Sequence, residues 1–284
     1  MAVNRRYKEE KDYPTRQTGS VAQLLGLSDE GVRIYERYGL VYPEKREDNG
    51  FRSFDIMDMV MLLYARVYRE CGFSLKEARR LANHCSLEEL SQAYGESILS
   101  LHRKVEWERW RLERVEELLS EIQAAGTGVG QCTLSTMPGM YRVEFLLNNR
   151  KVDPSPEKQR RVRRWMETCI PFAMLSTRYV KETITRPKAE IIALSGLGIY
   201  EKYAGFLELR EEGDVEYSPP VPAVHTILQA NNQELIPDFS PCLSFLKSQG
   251  LRISGDVISF GIANLHFQTD FDRLFHLWIP VEKG

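Results

Sequence analysis

The feature that most limits what this chain can fold into is an apolar repeat between residues 87 and 125. Alternating steps of four and three from Leu87 reach Ser91, Tyr94, Ile98, Leu101, Val105, Glu108, Leu112, Val115, Leu119 and Ile122. Nine of these eleven positions are apolar or aromatic, and Gly95 is the only Gly or Pro in the stretch. A 3.5-residue spacing held that long predicts a coiled coil, because it keeps one stripe facing a partner helix. A lone helix cannot bury such a stripe. The expected partner is a second copy of the chain on a two-fold axis. The alternative is packing along the chain's own carboxy-terminal part.

The remaining sequence divides around that helix. The 284 residues are enough for about two domains. Residues 1–86 carry 15 Lys and Arg against 13 Asp and Glu, so any contact with nucleic acid must come from placed arginines rather than a cationic field. The opening "MAVNRRYKEEKDYP" has no apolar signal region, and no stretch approaches the roughly 18 apolar residues of a membrane span. The five cysteines are scattered without a CxxC, which suits buried thiols in a reducing cytoplasm. The expected boundaries are 1–86, 87–125, a linker at 126–131 within the glycine-rich "AAGTGVGQ", and 132–284.

Residues 1–86 read as short helices with one hairpin. "GSVAQLLGLS" has Val21, Leu24 and Leu25 at helical spacing, and Gly26 stops it. Ser28 then caps "DEGVRIYERYG", with Asp29 and Glu30 where the helix dipole favours acids. Two helices joined at Gly26-Leu27-Ser28 make a helix-turn-helix. "PEKREDNGFRSF" carries the Asn-Gly of a tight hairpin and predicts a small wing, with Phe51 and Phe54 packing it down. Ser53 or Asp55 starts the next helix, and Ser74 with Glu77 forms a capping box for "SLKEARRLANHC". Beyond residue 131 the strand-like runs are "QCTLSTM", "MYRVEFLLN", "STRYVKETITR", "AEIIALSGLGIY", "AVHTILQA", "DVISFGIANLHF" and "DRLFHLWIPV". "PSPEKQRRVRRWMETCIPFAML" and "SPCLSFLKSQG" read as helices. That is two rounds of strands, helix, strands, and two halves side by side leave a cleft between them. The fold class is therefore multi-domain: an all-α winged helix-turn-helix, a long dimerisation coiled-coil helix, and an α+β effector domain.

"SVAQLLGLSDEGVRIYERYGL", "NGFRSF" and "ECGFSLKEARRL", in that order and followed by the coiled coil, resemble the DNA-binding part of MerR-type transcriptional regulators. The closing "GLRISGDVIS" and "FHLWIPVEKG" resemble a GyrI-like effector-binding domain. The resemblance implies a cytoplasmic homodimer on double-stranded promoter DNA. There the protein bends and untwists a long spacer so that RNA polymerase engages, and a small-molecule effector controls the step. Arg33 and Tyr35 are placed on the recognition helix and Arg52 on the wing, all as DNA contacts, with Arg16 and Arg37 as further candidates. Gly31 stands where relatives carry Thr, and Ile34 where many carry Tyr.

The effector candidates are Tyr141, Glu144, Trp165, Phe260, His276 and Trp278, chosen as rings and polar groups of the kind that line ligand pockets. By alternation, His276 and Trp278 share one face of their strand while Phe275 and Leu277 share the other. Drug-binding relatives carry Glu at the positions of His276 and Ser259, so the resemblance to cation binders stops there. No metal site or cofactor is expected. Thiolate sensing needs two to four soft ligands, and the segment after the coiled coil offers Cys132 alone. No GxSxG, HExxH, GxGxxG or P-loop is present, which argues against an enzyme. The alternative is a regulator whose carboxy-terminal domain sequesters or hydrolyses a small molecule. His225 and His276 are the residues to watch for that, although nothing in the sequence pairs them with an acid.

Overall fold

A capping serine, a left-handed glycine and a short apolar helix recur through the first 86 residues, and each becomes a defined turn. The computed structural model describes residues 15–47, 50–148, 150–151, 155–185, 190–231, 236–267 and 270–284, and Asn49 of the expected hairpin lies outside them. The chain forms two compact units, divided between Glu108 and Arg109.

In the first unit, β1 (Arg16–Gln17) leads into α1 (Thr18–Leu25), which Gly26 ends at φ 61°. Only glycine takes that left-handed turn without steric cost. The Arg66 guanidinium donates to the carbonyls of Leu25 and Gly26, placing a cation at the negative end of α1. The Ser28 hydroxyl accepts the Gly31 N–H at 3.0 Å and starts α2 (Asp29–Arg37). Short strands β2 (Glu44–Lys45) and β3 (Arg52–Phe54) form the wing, and β1 pairs on the other side of β3. The unit is thus the expected winged helical domain, with β1 completing a three-stranded sheet. Asp55, not Ser53, caps α3 (Ile56–Glu70), and the Ser74–Glu77 box caps α4 (Leu75–Asn83). Val21, Val32, Tyr35, Leu40, Phe54 and Leu62 make the core of this unit.

The long helix α5 runs without a break from Leu87 to Gly128. The expected linker therefore shortens. Gly126 and Gly128 stay helical because Ala125 is docked on the sheet beneath, holding the last turn in register. No helix among the described residues is long and apolar enough to cross a membrane.

The second unit is built on one antiparallel sheet. Its strands are β4 (Thr133–Met137), β5 (Met140–Leu147), β6 (Arg150–Lys151), β7 (Met174–Tyr179), β8 (Ala193–Tyr200), β9 (Glu216–Ser218), β10 (Val221–Asn231), β11 (Leu251–Ile253), β12 (Val257–Phe267) and β13 (Asp270–Lys283). They line up as β4-β10-β13-β12-β7-β8-β5-β6, with β9 beside β5 and β11 beside β13. The two expected rounds of elements are present, but they join edge to edge through the β7–β12 pair instead of standing as separate halves. The helices α6 (Pro156–Thr168) and α8 (Ser240–Ser248) match the two expected helical runs. The run "STRYVKETITR" splits: its first part is β7, and Lys181–Thr185 form a short helix, α7.

Candidate functional site

On α2, Val32 and Tyr35 are three apart and face the core, while Arg33 and Arg37 are four apart and face out. Tyr35 is 8% exposed, and burial raises its phenol pKa. Its ring packs in the core of the first unit. Arg33 is exposed at the surface. Arg37 is also exposed and pairs with Glu30 at 3.2 Å. Arg16 donates to Ser20 Oγ at 3.4 Å. Arg52 is half-buried and bound to Glu36 of α2, so the wing arginine is tied back to the recognition helix rather than held out from the body. Phe54 packs down as expected, whereas Phe51 is 59% exposed. Gly31 also has a local reason: a Cβ there would stand 3.2 Å from Ser28 Oγ, crowding the oxygen that caps the helix.

In the second unit the sheet presents two unlike faces. On one, His225 and Ile227 of β10, Phe260 of β12, and His276 and Trp278 of β13 line up by strand register. His225 Nε2 and His276 Nδ1 are 2.8 Å apart, and the His225 ring stacks on Trp278 at 4.0 Å. Phe260 stacks on Tyr200 at 4.2 Å. Gly198 keeps room for that stack, since a Cβ there would come within 3.2 Å of the Phe260 ring.

The final turns of α5 cover this face. Glu121 Oε1 lies 3.5 Å from His276 Nε2 and 3.2 Å from Arg114 Nη1, and the Arg114 side chain is wholly buried. Arg114 also reaches Glu117, which accepts from the Tyr203 hydroxyl at 2.6 Å and from Lys202. Trp110 stacks on Phe206. Burial pushes the His225 pKa down to about 4, and the charge of neighbouring His276 adds to that. Burial alone would raise the Glu121 carboxyl, but the hydrogen bond from His276 and the charge of Arg114 outweigh it and leave the pKa lowered. The histidines thus have an acid after all, supplied by α5. The chain His225–His276–Glu121 has the order of a proton relay, but it ends on a carboxylate pinned by arginine and lies under a helix.

Of the six effector candidates, Phe260, His276 and Trp278 meet on this face. Glu144 projects to the same face but is held bidentate by Arg178, with both contacts at 2.8 Å, and also by Arg142. It is a structural acid. Tyr141 packs against Tyr217, and Trp165 is buried within α6, so neither joins the group.

The opposite face holds an apolar groove of about 290 Å³ that sequence reasoning missed. Its floor is Thr177 and Tyr179 of β7, Leu197 of β8, Ser259 of β12 and Phe275 of β13, and its wall includes Met166 and Ile170. Met166, Ile170 and Leu175 are large apolar side chains left exposed at its edge. Ser259, one of the two positions that departed from the cation binders, lies in this floor. Among the described residues no cluster of three or more His, Cys, Asp or Glu is placed to hold a metal ion.

Residues 17–85 match the family model "MerR HTH family regulatory protein". The amino-terminal head belongs to the MerR helix-turn-helix family. The HTH-type transcriptional regulator CueR of Yersinia pestis is 41% identical over 61 residues, which are 22% of this chain and 44% of CueR. The mercuric resistance operon regulatory protein of Bacillus cereus is 28% identical over 110 residues, 37% of this chain and 80% of its own. The chain spans about half the length of the CueR proteins it matches. Across 95% of the chain, the solved structure of an EcmrR–DNA complex aligns at 16% identity with a TM-score of 0.36, a likeness too low to fix fold or mechanism. The MerR head therefore rests on its sequence match and its own helix-turn-helix geometry.

Proposed function

We propose that this chain is a dimeric, ligand-responsive, cytoplasmic transcription regulator. Its MerR head holds double-stranded promoter DNA through Arg33, with Arg16, Arg37 and Arg52 supporting the grip. Its carboxy-terminal unit takes a small lipophilic effector. The observation that carries this reading is α5: one unbroken helix leaves the head and ends as the lid of a sheet face in the second unit. Its apolar seam is open from Ile98 to Ile122, as a dimer contact requires, while Tyr94 nearer the start of the helix packs on Tyr68 and Phe73.

The effector reading centres on the groove. Apolar pockets of a few hundred Å³ with few polar groups suit small ligands, and exposed apolar side chains at the rim mark a binding surface. Strands β12 and β13 pass through both faces. Their odd-numbered residues Ser259 and Phe275 floor the groove, and their neighbours Phe260 and His276 lie on the opposite face, where His276 meets Glu121 of α5. A ligand pressing on the first pair shifts the second, and the helix carries the change toward promoter distortion, the step at which RNA polymerase engages.

Thermal-shift screening of the full chain with lipophilic cations, anions and neutral compounds tests this. At least one class is expected to raise the melting temperature, and Leu175→Asp is expected to remove the shift. A shift lost in His276→Ala and kept in Leu175→Asp moves the effector to the other face. Recovery of the stabilising compound unchanged supports sensing, and its turnover replaces that reading with a hydrolytic module.

A further inference from the structure

We propose that Cys132 and Cys242 form a reversible intramolecular disulfide when a hydroperoxide reaches the carboxy-terminal unit. The two residues are 110 positions apart in sequence, yet their sulfurs are 3.6 Å apart. A disulfide needs about 2 Å, so modest side-chain rotation and a small shift of the turn before β4 close the gap. The start of that turn is anchored, so the shift needed is confined to the residues next to Cys132. Val129 bridges to Ile227, and the Gly130 N–H donates to the Ile227 carbonyl at 2.8 Å, which keeps Cys132 in register beside the helix that carries Cys242.

The two thiols differ in a way that assigns their order of reaction. Cys132 is half-buried and open to a small oxidant, whereas Cys242 is 1% exposed in the first turn of α8. Burial pushes the Cys242 thiol up to about 12, and the neighbouring Cys132 adds to the rise. Cys132, the more open of the two, therefore attacks first. Its sulfur takes the nearer peroxide oxygen, the O–O bond breaks, and hydroxide or alkoxide leaves. The product is a sulfenic acid on Cys132. The Cys242 sulfur then attacks that sulfur, the S–O bond breaks and the S–S bond forms. The departing hydroxide leaves as water with the proton from Cys242. Two thiols are oxidised by two electrons, and the peroxide is reduced to water and water or alcohol. A small thiol reductant reverses the bond by exchange. The crosslink would clip the exit of α5 to α8, beside the strand that carries His225.

The experiment titrates the full-length protein with hydrogen peroxide, counts thiols after denaturation, and maps peptides without reduction. Two of the five thiols are expected to be lost, with one peptide pair joined through Cys132 and Cys242 and all five restored by dithiothreitol. Cys132→Ser sits at a half-buried site, should fold, and is expected to lose the linkage entirely. Cys242→Ser, with its fold checked by circular dichroism, is expected to drive Cys132 on to sulfinic acid. Oxidation of Cys132 with Cys242 left free in the unaltered protein, or linkage only between chains, overturns the proposal. So does retention of all five thiols.

Discussion

Two stripes of the same helix invert the usual rule of burial. The seam of α5 is apolar and open: Val105 is 67% exposed and Leu112 60%. The stripe formed by Arg114, Glu117 and Glu121 is charged and covered by the sheet, with the Arg114 side chain fully shut off from solvent. Apolar area left in water costs about 25 cal/mol per Å², so the open seam is stable only with a partner laid along it. A buried arginine is tolerable only while its carboxylates remain, because removing one member of such a group leaves an uncompensated charge. Polarity therefore does not tell which side of this helix is interior. The first stripe is the surface on which the proposed second chain would lie, and the second has already found its partners within its own unit.

The largest expected effect falls on the open stripe. Leu112→Asp with Leu119→Asp removes four buried leucines per dimer, each worth about 2 kcal/mol, and should weaken association at least roughly a thousandfold. Sedimentation velocity reads this directly, and a double variant still dimeric at micromolar concentration removes the seam from the account. On the covered stripe, Arg114→Ala should cost the second unit about 3–5 kcal/mol in denaturant unfolding. A loss below about 1 kcal/mol would show that water replaces the guanidinium there.

The same stripe predicts a pH dependence. The unfolded chain protonates His225 near 6.5, and the folded unit does so only near pH 4. The unfolded state binds the extra proton across that window, so stability should fall by about 2 kcal/mol as pH drops from 6.5 to 4. The lowered Glu121 carboxyl adds loss in the same direction at the acid end. His225→Gln should flatten the upper part of the curve. The smallest effects are on DNA. Arg33→Ala should weaken operator binding about tenfold and lower its salt slope by about one. Arg52→Ala should do less, since Glu36 already holds that side chain; an equal or larger loss would mean that the pair opens on DNA.

The head was legible because its signals are local. Ser28, Gly26 and the Ser74–Glu77 box each act within four residues, so spacing alone predicts the turn. Periodicity shows that Tyr35 and Arg33 diverge, but not which of them meets the core. The wing is similar: charge order around Arg52 says nothing of Glu36, which is brought near only when α2 and β3 pack. In the second unit, alternation placed His276 and Trp278 on one face correctly. It did not reveal that α5 covers that face, nor that a groove lies on the other, because both depend on long-range docking. The Cys132–Cys242 contact is the extreme case. Two scattered cysteines carry no spacing signal until β4 and α8 are folded against each other.

The unbroken course of α5 also sets a limit on motion. Each residue of an α-helix turns the next by about 100°, so a stripe at 114 and 121 and a seam at 112 and 119 are fixed in angle on one rod. Were the sheet to roll the helix by a single residue's step, the seam would face away from its partner altogether. On the proposed reading, a signal that kept the dimer intact would therefore be a rotation of a small fraction of that step, and the torsional stiffness of the rod would set how faithfully it arrives.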